Sequence, residues 1–367
     1  MPVHIAAAVR SPFTGVDGAL AGWHPVDLAA EVMNLAVGSH VIDEVFVGCA
    51  EPVGAQGANM ARAAILAAGW DDRLGGTVVD RAETSGTAAL HAAVAAIAGG
   101  QISCAMVIGV CSASVVQPGA SALGRTYGRP WGDGPAARVE GDGGLLSPPA
   151  AADRSAAEHG VGRAEQDAWA TKSHELRTLL DSSAIVPLGA RPGDRVAVQR
   201  GTPVDADELR ARPDDPSALP PSFDVDGTVT GFSFAAPADG AVAIVLTDEA
   251  RGPEIIGTGR AAGHPLDPIG GLGPAIEIAL GSVDSDDIGR WEFTESTAAA
   301  TLLAIRSRQI DPGIVNPRGG TLAVGDAGAA EELRLVVDAI ADAPNREHML
   351  AAAFGASGSA ATLLRCP

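Results

Sequence analysis

Apolar and polar positions along this chain fall into two alternating rhythms. Short runs of β-branched and aliphatic residues at 4–9, 41–49 (VIDEVFVGC), 104–111 (CAMVIGVC) and 239–246 (DGAVAIVL) predict strands. Segments 25–36 and 59–69 instead repeat apolar residues at helical spacing and predict helices. Residues 77–97, TVVDRAETSGTAALHAAVAAI, predict a strand end, a polar turn and an alanine-rich helix. Leu90, Val94 and Ile97 share one stripe of that helix, because residues three and four apart are neighbours on its surface. The run 104–111 has no polar alternation, the pattern of a strand covered on both faces. Alternating strand and helix signals predict a layered α/β fold.

The pattern changes at Ser112. From there to about Pro221 the chain is richer in Gly, Pro and charge, with a helical island at 154–180, which predicts an inserted subdomain. The last third then repeats the first in outline. Residues 288–296 (IGRWEFTES) follow the pattern of 42–50 (IDEVFVGCA), and 315–340 again place glycines before an amphipathic helix. Residues 348–364 read as a hairpin around GASGS. Two similar α/β halves interrupted by a loop domain is the expected architecture.

Composition narrows the function classes. With 46% hydrophobic residues in 367, the chain can bury a large core. Its 45 acidic against 25 basic residues give a net charge of -20, which argues against nucleic acid or an anionic membrane surface as partner. Lys172 is the single lysine. Four cysteines make no disulfide framework. Cys49, Cys104 and Cys111 sit in strand-like runs as small buried hydrophobes, and Cys366, next to last, is expected to be exposed. No Cys/His spacing suggests a metal site. Residues 84–124 lack Asp, Glu, Lys and Arg, but Gly99, Gly100 and Gln101 divide them into a helix and a strand, so a buried core explains them better than a membrane span. The opening MPVHIAAAVRSPF has no apolar stretch of signal-peptide length, and a cytoplasmic protein is expected.

Candidate chemistry centres on the turn at 80–85. A helix N-terminus presents unpaired N–H groups and partial positive charge, a place that favours nucleophiles and anions. The side chain there is Glu83, followed by the capping candidates Thr84 and Ser85. His91 and His174 read as packed helix histidines. Arg191, Arg195, Arg200, Arg210 and Arg212 are interleaved with Asp194, Asp205, Asp207 and Glu208, the pattern of a solvated surface.

Seven segments in order resemble the thiolase family, the acetyl-CoA acyltransferases. They are AAVRSPFTGVDGALAGWHPVDL near the start, VGCAEPVGAQGANMAR (47–62), VVDRAETSG (78–86), SAAEHGVGRAEQDAWATKSHE (155–175), DGTVTGFSFAAPADGAVAIVL (226–246), VNPRGGTLAVGDAGA (315–329) and REHMLAAAFGASGSAATLL (346–364). The resemblance implies two βαβαβαββ halves in a five-layer α-β-α-β-α arrangement with a loop domain that carries the CoA site. It places the N-terminal half at 1–117 plus 223–250, the loop domain at 118–222 and the C-terminal half at 251–367. It also implies a homodimer or homotetramer, or a heteromer with an active thiolase, and a CoA ester as ligand with no other cofactor.

The same resemblance implies four catalytic positions, and each carries an unexpected residue. The nucleophilic cysteine of C-[GSA]-S-G falls on Glu83, and the second cysteine of C-x-G on Ala353. The histidine of G-H-P falls on Asp326, and the asparagine of N-E-A-F on Thr294. Toward the ligand, the arginine of K-L-R-P-[AS]-F falls on Pro220 and a pantetheine-touching serine on Ala235. Phe232 and Phe234 stand where the family is small and polar, and His174 matches a common family position. An acceptor replacing an oxyanion donor opposes thiolysis, since loss of one donor costs about 10²–10³ in rate. Three readings follow: a thiolase framework without thiolase chemistry, acting as a non-catalytic or partner subunit; an acyl-CoA transferase, hydratase or hydrolase run by the Glu83/Asp326 pair; and an apolar acyl-ligand module shaped by Phe232 and Phe234.

Overall fold

The computed structural model describes residues 1–123, 132–142, 144, 146–178, 185, 188, 204–341, 343–344 and 347–367. The first half runs β1 (Val3–Arg10), β2 (Thr14–Gly15), α1 (Pro25–Ala36), β3 (Glu44–Gly48), α2 (Met60–Ala67), β4 (Gly75–Val79), α3 (Ser85–Ala98) and β5 (Cys104–Ser112). Four helices follow: α4 (Ala120–Leu123), α5 (Asp133–Val139), α6 (Pro148–Glu158) and α7 (Arg163–Thr178). The chain then returns through β6 (Ala238–Thr247) and β7 (Glu254–Ala261) to α8 (Leu272–Leu280), β8 (Ile288–Phe293), α9 (Ala298–Arg308), α10 (Thr321–Val324), α11 (Ala329–Ile340), β9 (His348–Gly355) and β10 (Gly358–Arg365).

Among the described residues the strands form one ten-stranded mixed sheet in the order β4-β3-β5-β6-β1-β7-β10-β9-β8, with β2 beside β6. The order is palindromic about β1 and β7, which pair only through Val3–Ile255 and His4–Glu254. Each half has the same plan: β3 lies parallel to β5 as β8 lies parallel to β9, and β6 and β10 run antiparallel beside them. β4 has its counterpart in the single parallel bridge from Trp291 to Val315.

At the short seam the two halves turn to face each other, and α3 and α11 fill the space between them. α3 packs on β3, β5 and β10, and α11 on β5, β6, β8 and β9. Leu90, Ile97, Leu333 and Val336 join Val107, Ile244 and Met349 in this inner core. α1 and α2 cover the outer face of the first half with Leu28, Met33, Met60 and Ile65. α8 and α9 cover the second with Ile276, Leu280, Ala300 and Ala304. The result is the expected five-layer α-β-α-β-α arrangement.

Local chemistry explains most element boundaries. α1 starts at Pro25, whose fixed φ suits the first helical position, with His24 Nδ1 accepting from Val26 N–H. The expected 154–180 island is two helices, divided by Gly160 at φ +65°; residues 179 and 180 lie outside the described set. The strand expected from 41 begins at Glu44, since Val41 is exposed. The apolar runs do not signal β7, because Gly257 and Gly259 interrupt it. A side chain at either would overlap the carbonyl oxygens of Ala279 or Ala275, so the glycines admit α8 onto the sheet.

One correction concerns charge. Asp207 is not part of a solvated surface. Its carboxylate is buried and bridges Arg10 (2.6 Å) and Arg177 (2.8 Å). Arg177 continues to Asp338 (3.0 Å), which also meets Arg334, and Arg334 forks onto Glu331 (2.6 Å). This buried ion chain ties β1 and α7 to α11. Arg191, Arg195, Arg200 and Asp194 lie outside the described residues.

Candidate functional site

The turn 82–84 before α3 carries Glu83. Ala82 there has φ +46°, a left-handed conformation costly for a residue with a Cβ. Ser85 steadies the turn, accepting from Arg81 N–H at 2.8 Å and donating to Ala82 O at 2.8 Å. Glu83 is half-buried and lies over Gly355 at the end of β9, where any side chain would press on its carboxyl. Its Oε2 is buried without a hydrogen-bond partner. The α3 N-terminus is capped from the facing helix instead: Glu332 Oε2 accepts from Thr87 N–H at 2.8 Å.

Asp326 follows α10 across Gly325, whose φ is +92°. Its backbone bridges to residues 236–238, which lead into β6, with Asp326 N–H on Ala236 O at 2.7 Å, and its Oδ1 accepts from Gly328 N–H at 2.8 Å. Burial, then the charge of Glu331, raises its carboxyl to about 6 against the pull of the Gly328 N–H, and the charge of Glu83 adds to the rise. The two carboxylates expected to face each other therefore feel each other across the site.

Thr294 is buried at the end of β8, where its Oγ1 accepts from Phe354 N–H at 3.3 Å. Ala353 is buried in β9 opposite Ala360 and offers no acid or base. His174 lies in α7 with its ring 5.1 Å from that of Phe232, and burial, then Arg210 and Arg212, lowers it to about 4. Its Nε2 is buried without a partner. Phe232 and Ala235 belong to the second half's outer core, while Phe234 meets Phe223 edge-on at 5.1 Å. Arg210 is spent on the carbonyls of Gly231, Phe234 and Leu322, which fixes that loop against α10.

The thiols do not replace the missing nucleophile. Burial raises Cys49 and Cys104 to about 11 and Cys111 well above its ordinary value, and it also raises Cys366. Cys366 is buried, not exposed: its N–H bonds Glu347 O and holds the chain end against the hairpin. Among the described residues no group of three or more His, Cys, Asp or Glu is placed to hold a metal ion, and no helix is long and apolar enough to cross a membrane.

The family model for the thiolase N-terminal domain matches residues 3–250. The chain belongs to the thiolase family. It is 31% identical to a beta-ketoadipyl-CoA thiolase of Pseudomonas knackmussii, over 92% of each chain. It is 30% identical to a 3-ketoacyl-CoA thiolase of Escherichia coli, over 88% of each. The structure of a Bacillus anthracis acetyl-CoA acetyltransferase superposes with TM-score 0.87 at 27% identity, covering 100% of this chain and 99% of that one. A thiolase from Ascaris suum in complex with coenzyme A shares the fold, with TM-score 0.83 at 23% identity over all of both chains. Thiolases are acyl-CoA acyltransferases, so the site lies within a framework built for that chemistry.

Sequence reasoning missed two features of this thiolase-fold site. Glu332 caps α3 across the inner layer, a contact between residues 245 apart in the chain. Arg81 has its Nη1 buried and unpartnered beside the corner. No local pattern signals either, because both depend on how the two halves meet.

Proposed function

We propose that this thiolase-family protein does not carry out cysteine-based thiolysis and serves as a non-catalytic or partner subunit in acyl-CoA metabolism. The observation that carries the reading is the corner itself. A carboxylate occupies the helix start, while burial keeps all four thiols protonated. The thiolate is the nucleophile in acyl transfer to cysteine, and a thiol held protonated attacks poorly. Ala353 and Asp326 in two of the other three positions support it, an apolar methyl and an acceptor, while the Thr294 oxygen accepts from Phe354 N–H.

The fold's relatives make a CoA ester the ligand to test first. Calorimetric titration with acetyl-CoA and a cleavage assay with acetoacetyl-CoA and CoA separate binding from turnover. The expected result is no cleavage above the blank and no effect of a thiol alkylating agent. Steady cleavage that Glu83→Ala abolishes would sink the reading.

A second reading is favoured by Asp326, whose carboxyl is raised to about 6 with Glu83 contributing. Two interacting carboxyl groups with separated protonation can act as acid and base for hydration or hydrolysis of an acyl thioester. A panel of saturated and unsaturated acyl-CoA esters tests it. Turnover with a pH profile that Asp326→Asn and Glu83→Gln both change supports this reading, and absence of turnover removes it.

A further inference from the structure

A chain of net charge -20 has acids to spare, yet the side chains of two described arginines beside the corner, Arg81 and Arg260, make no hydrogen bond or ion pair. Gly355 and Gly358 pair directly at the tip of the β9–β10 hairpin, so the same face is bare at both. Glu83 lies over Gly355, and Arg81 Nη2 lies 3.6 Å from where a Gly358 Cβ would stand. Alternate residues of a strand share a face, so Ala360 and Thr362 point the same way as Gly358. Arg260 is the register partner of Ala360 and projects with them, toward α3. Thr362 holds His91 of α3 at 2.9 Å, which leaves His91 Nδ1 buried without a partner. Arg81, Arg260 and His91 thus converge between α3 and the β7–β10 face.

Of the nearby acids, Glu83 has its Oε2 unpartnered and its charge acts on Asp326, while the charges acting on Arg81 are those of Arg260 and Glu332. Glu332 bonds the N–H of Thr87, and Asp80 Oδ1 accepts from Ala82 N–H at 3.1 Å. Arg81 Nη1 is buried and unpartnered, and Arg260 is exposed. Burial and then the charge of Arg260 lower Arg81 from the ordinary guanidinium range. Burial, Arg260 and Arg81 lower His91 to about 3, so the ring is neutral, and the charge of Glu332 opposes the lowering of Arg81. Two guanidiniums without a hydrogen-bonded carboxylate offer donors suited to a planar or tetrahedral oxyanion.

We propose that Arg81 and Arg260 form a binding site for a small oxyanion, of the carboxylate or phosphate class, between α3 and the β9–β10 hairpin. The site is independent of any thioester turnover at Glu83. Gly358 borders it, since a Cβ there would stand in ordinary contact with the Arg81 guanidinium. One source of the ligand is a free anion in solution. The other is a carboxylate or phosphate carried by a larger molecule.

The test is calorimetric titration with succinate and with inorganic phosphate, in chloride buffer of matched ionic strength. Wild type, Arg81→Gln and Arg260→Gln are compared, and each is checked for an unchanged melting transition without ligand. The expected result is saturable binding to wild type, weakened about tenfold or more in either variant, as loss of a charge-assisted hydrogen bond predicts. Binding of phosphate alone, or of succinate alone, supports the site and assigns the class of oxyanion, and binding of either as a free ion assigns the first source. Heats equal to dilution for both anions, or equal affinity in wild type and Arg260→Gln, overturn it. If Arg81→Gln fails to fold, exposed Arg260 carries the test. A change in oligomeric state in Arg260→Gln with no small-anion binding to wild type also overturns it, assigning the arginines to a contact between copies.

Discussion

Asp326 shows how a single residue's environment sets its chemistry. Its carboxyl is raised to about 6 by burial, with Glu331 and Glu83 adding to the effect. The stability consequence has a definite sign. Below about pH 3 folded and unfolded chains both hold the proton, and no penalty exists. As pH rises toward 6 the unfolded chain releases it first, so stability falls, and above 6 the penalty stays constant. Asp326→Asn keeps an acceptor for Gly328 N–H, so it should match wild type in urea unfolding at about pH 3. By pH 8 it should exceed wild type by about 3 kcal/mol. Equal stability at both pH values would refute the burial argument. Glu83→Gln should also move the Asp326 midpoint downward in a carbon-detected NMR titration, since one of the charges raising it is gone; an unmoved midpoint would mean the two carboxyls do not interact.

At the scale of elements, the inner layer depends on backbone meeting backbone. Added Cβ atoms at Gly86 in α3 and Gly109 in β5 would both overlap Ala329 O at the start of α11, and one at Gly48 in β3 would press on Gly86. These glycines let α11 and α3 approach closely enough for Glu332 to reach the α3 N-terminus. Gly86→Ala should therefore cost about 1–3 kcal/mol, the usual range for overpacking a close contact, in denaturant unfolding. A wild-type midpoint would contradict the packing. The buried ion chain makes a second element-scale demand. Arg334 is fully buried between Glu331 and Asp338, and Arg334→Met leaves two buried carboxylates without it. A loss of about 3–5 kcal/mol is expected, with the melting transition as readout.

At the scale of the molecule, the net charge of -20 acts as self-repulsion on the compact state. Surface charge is screened over about 8 Å at physiological ionic strength, whereas the buried chain from Arg10 to Glu331 is shielded from salt. Melting temperature should therefore rise as NaCl is increased from about 0.01 to about 0.15 M. A fall over that range would mean that salt-sensitive attractive pairs outweigh the repulsion. Among the described strands the halves pair where β1 meets β7, with a further backbone bridge from Asp326 to Pro237, so the interior helices more than the seam hold the halves together.

Much of this arrangement was legible in the residues before any coordinates. Continuous apolar runs marked β5 and β6, helical spacing marked α1 and α2, and the echo of 42–50 in 288–296 marked the second half. These signals are local: each arises from the period with which one element meets a core. The resemblance to thiolases singled out Glu83, Thr294, Asp326 and Ala353 by position. What the sequence could not express is pairing between distant segments. The burial of Asp207 and Cys366, the strand carrying Gly257 and Gly259, the Glu332 cap and the unpaired Arg81 and Arg260 all arise where separate segments close on one another. A residue's type states which bonds it can make. Only the folded chain decides whether a partner, a backbone or nothing stands within reach, and that decision turns a carboxylate or guanidinium into structure or into a site.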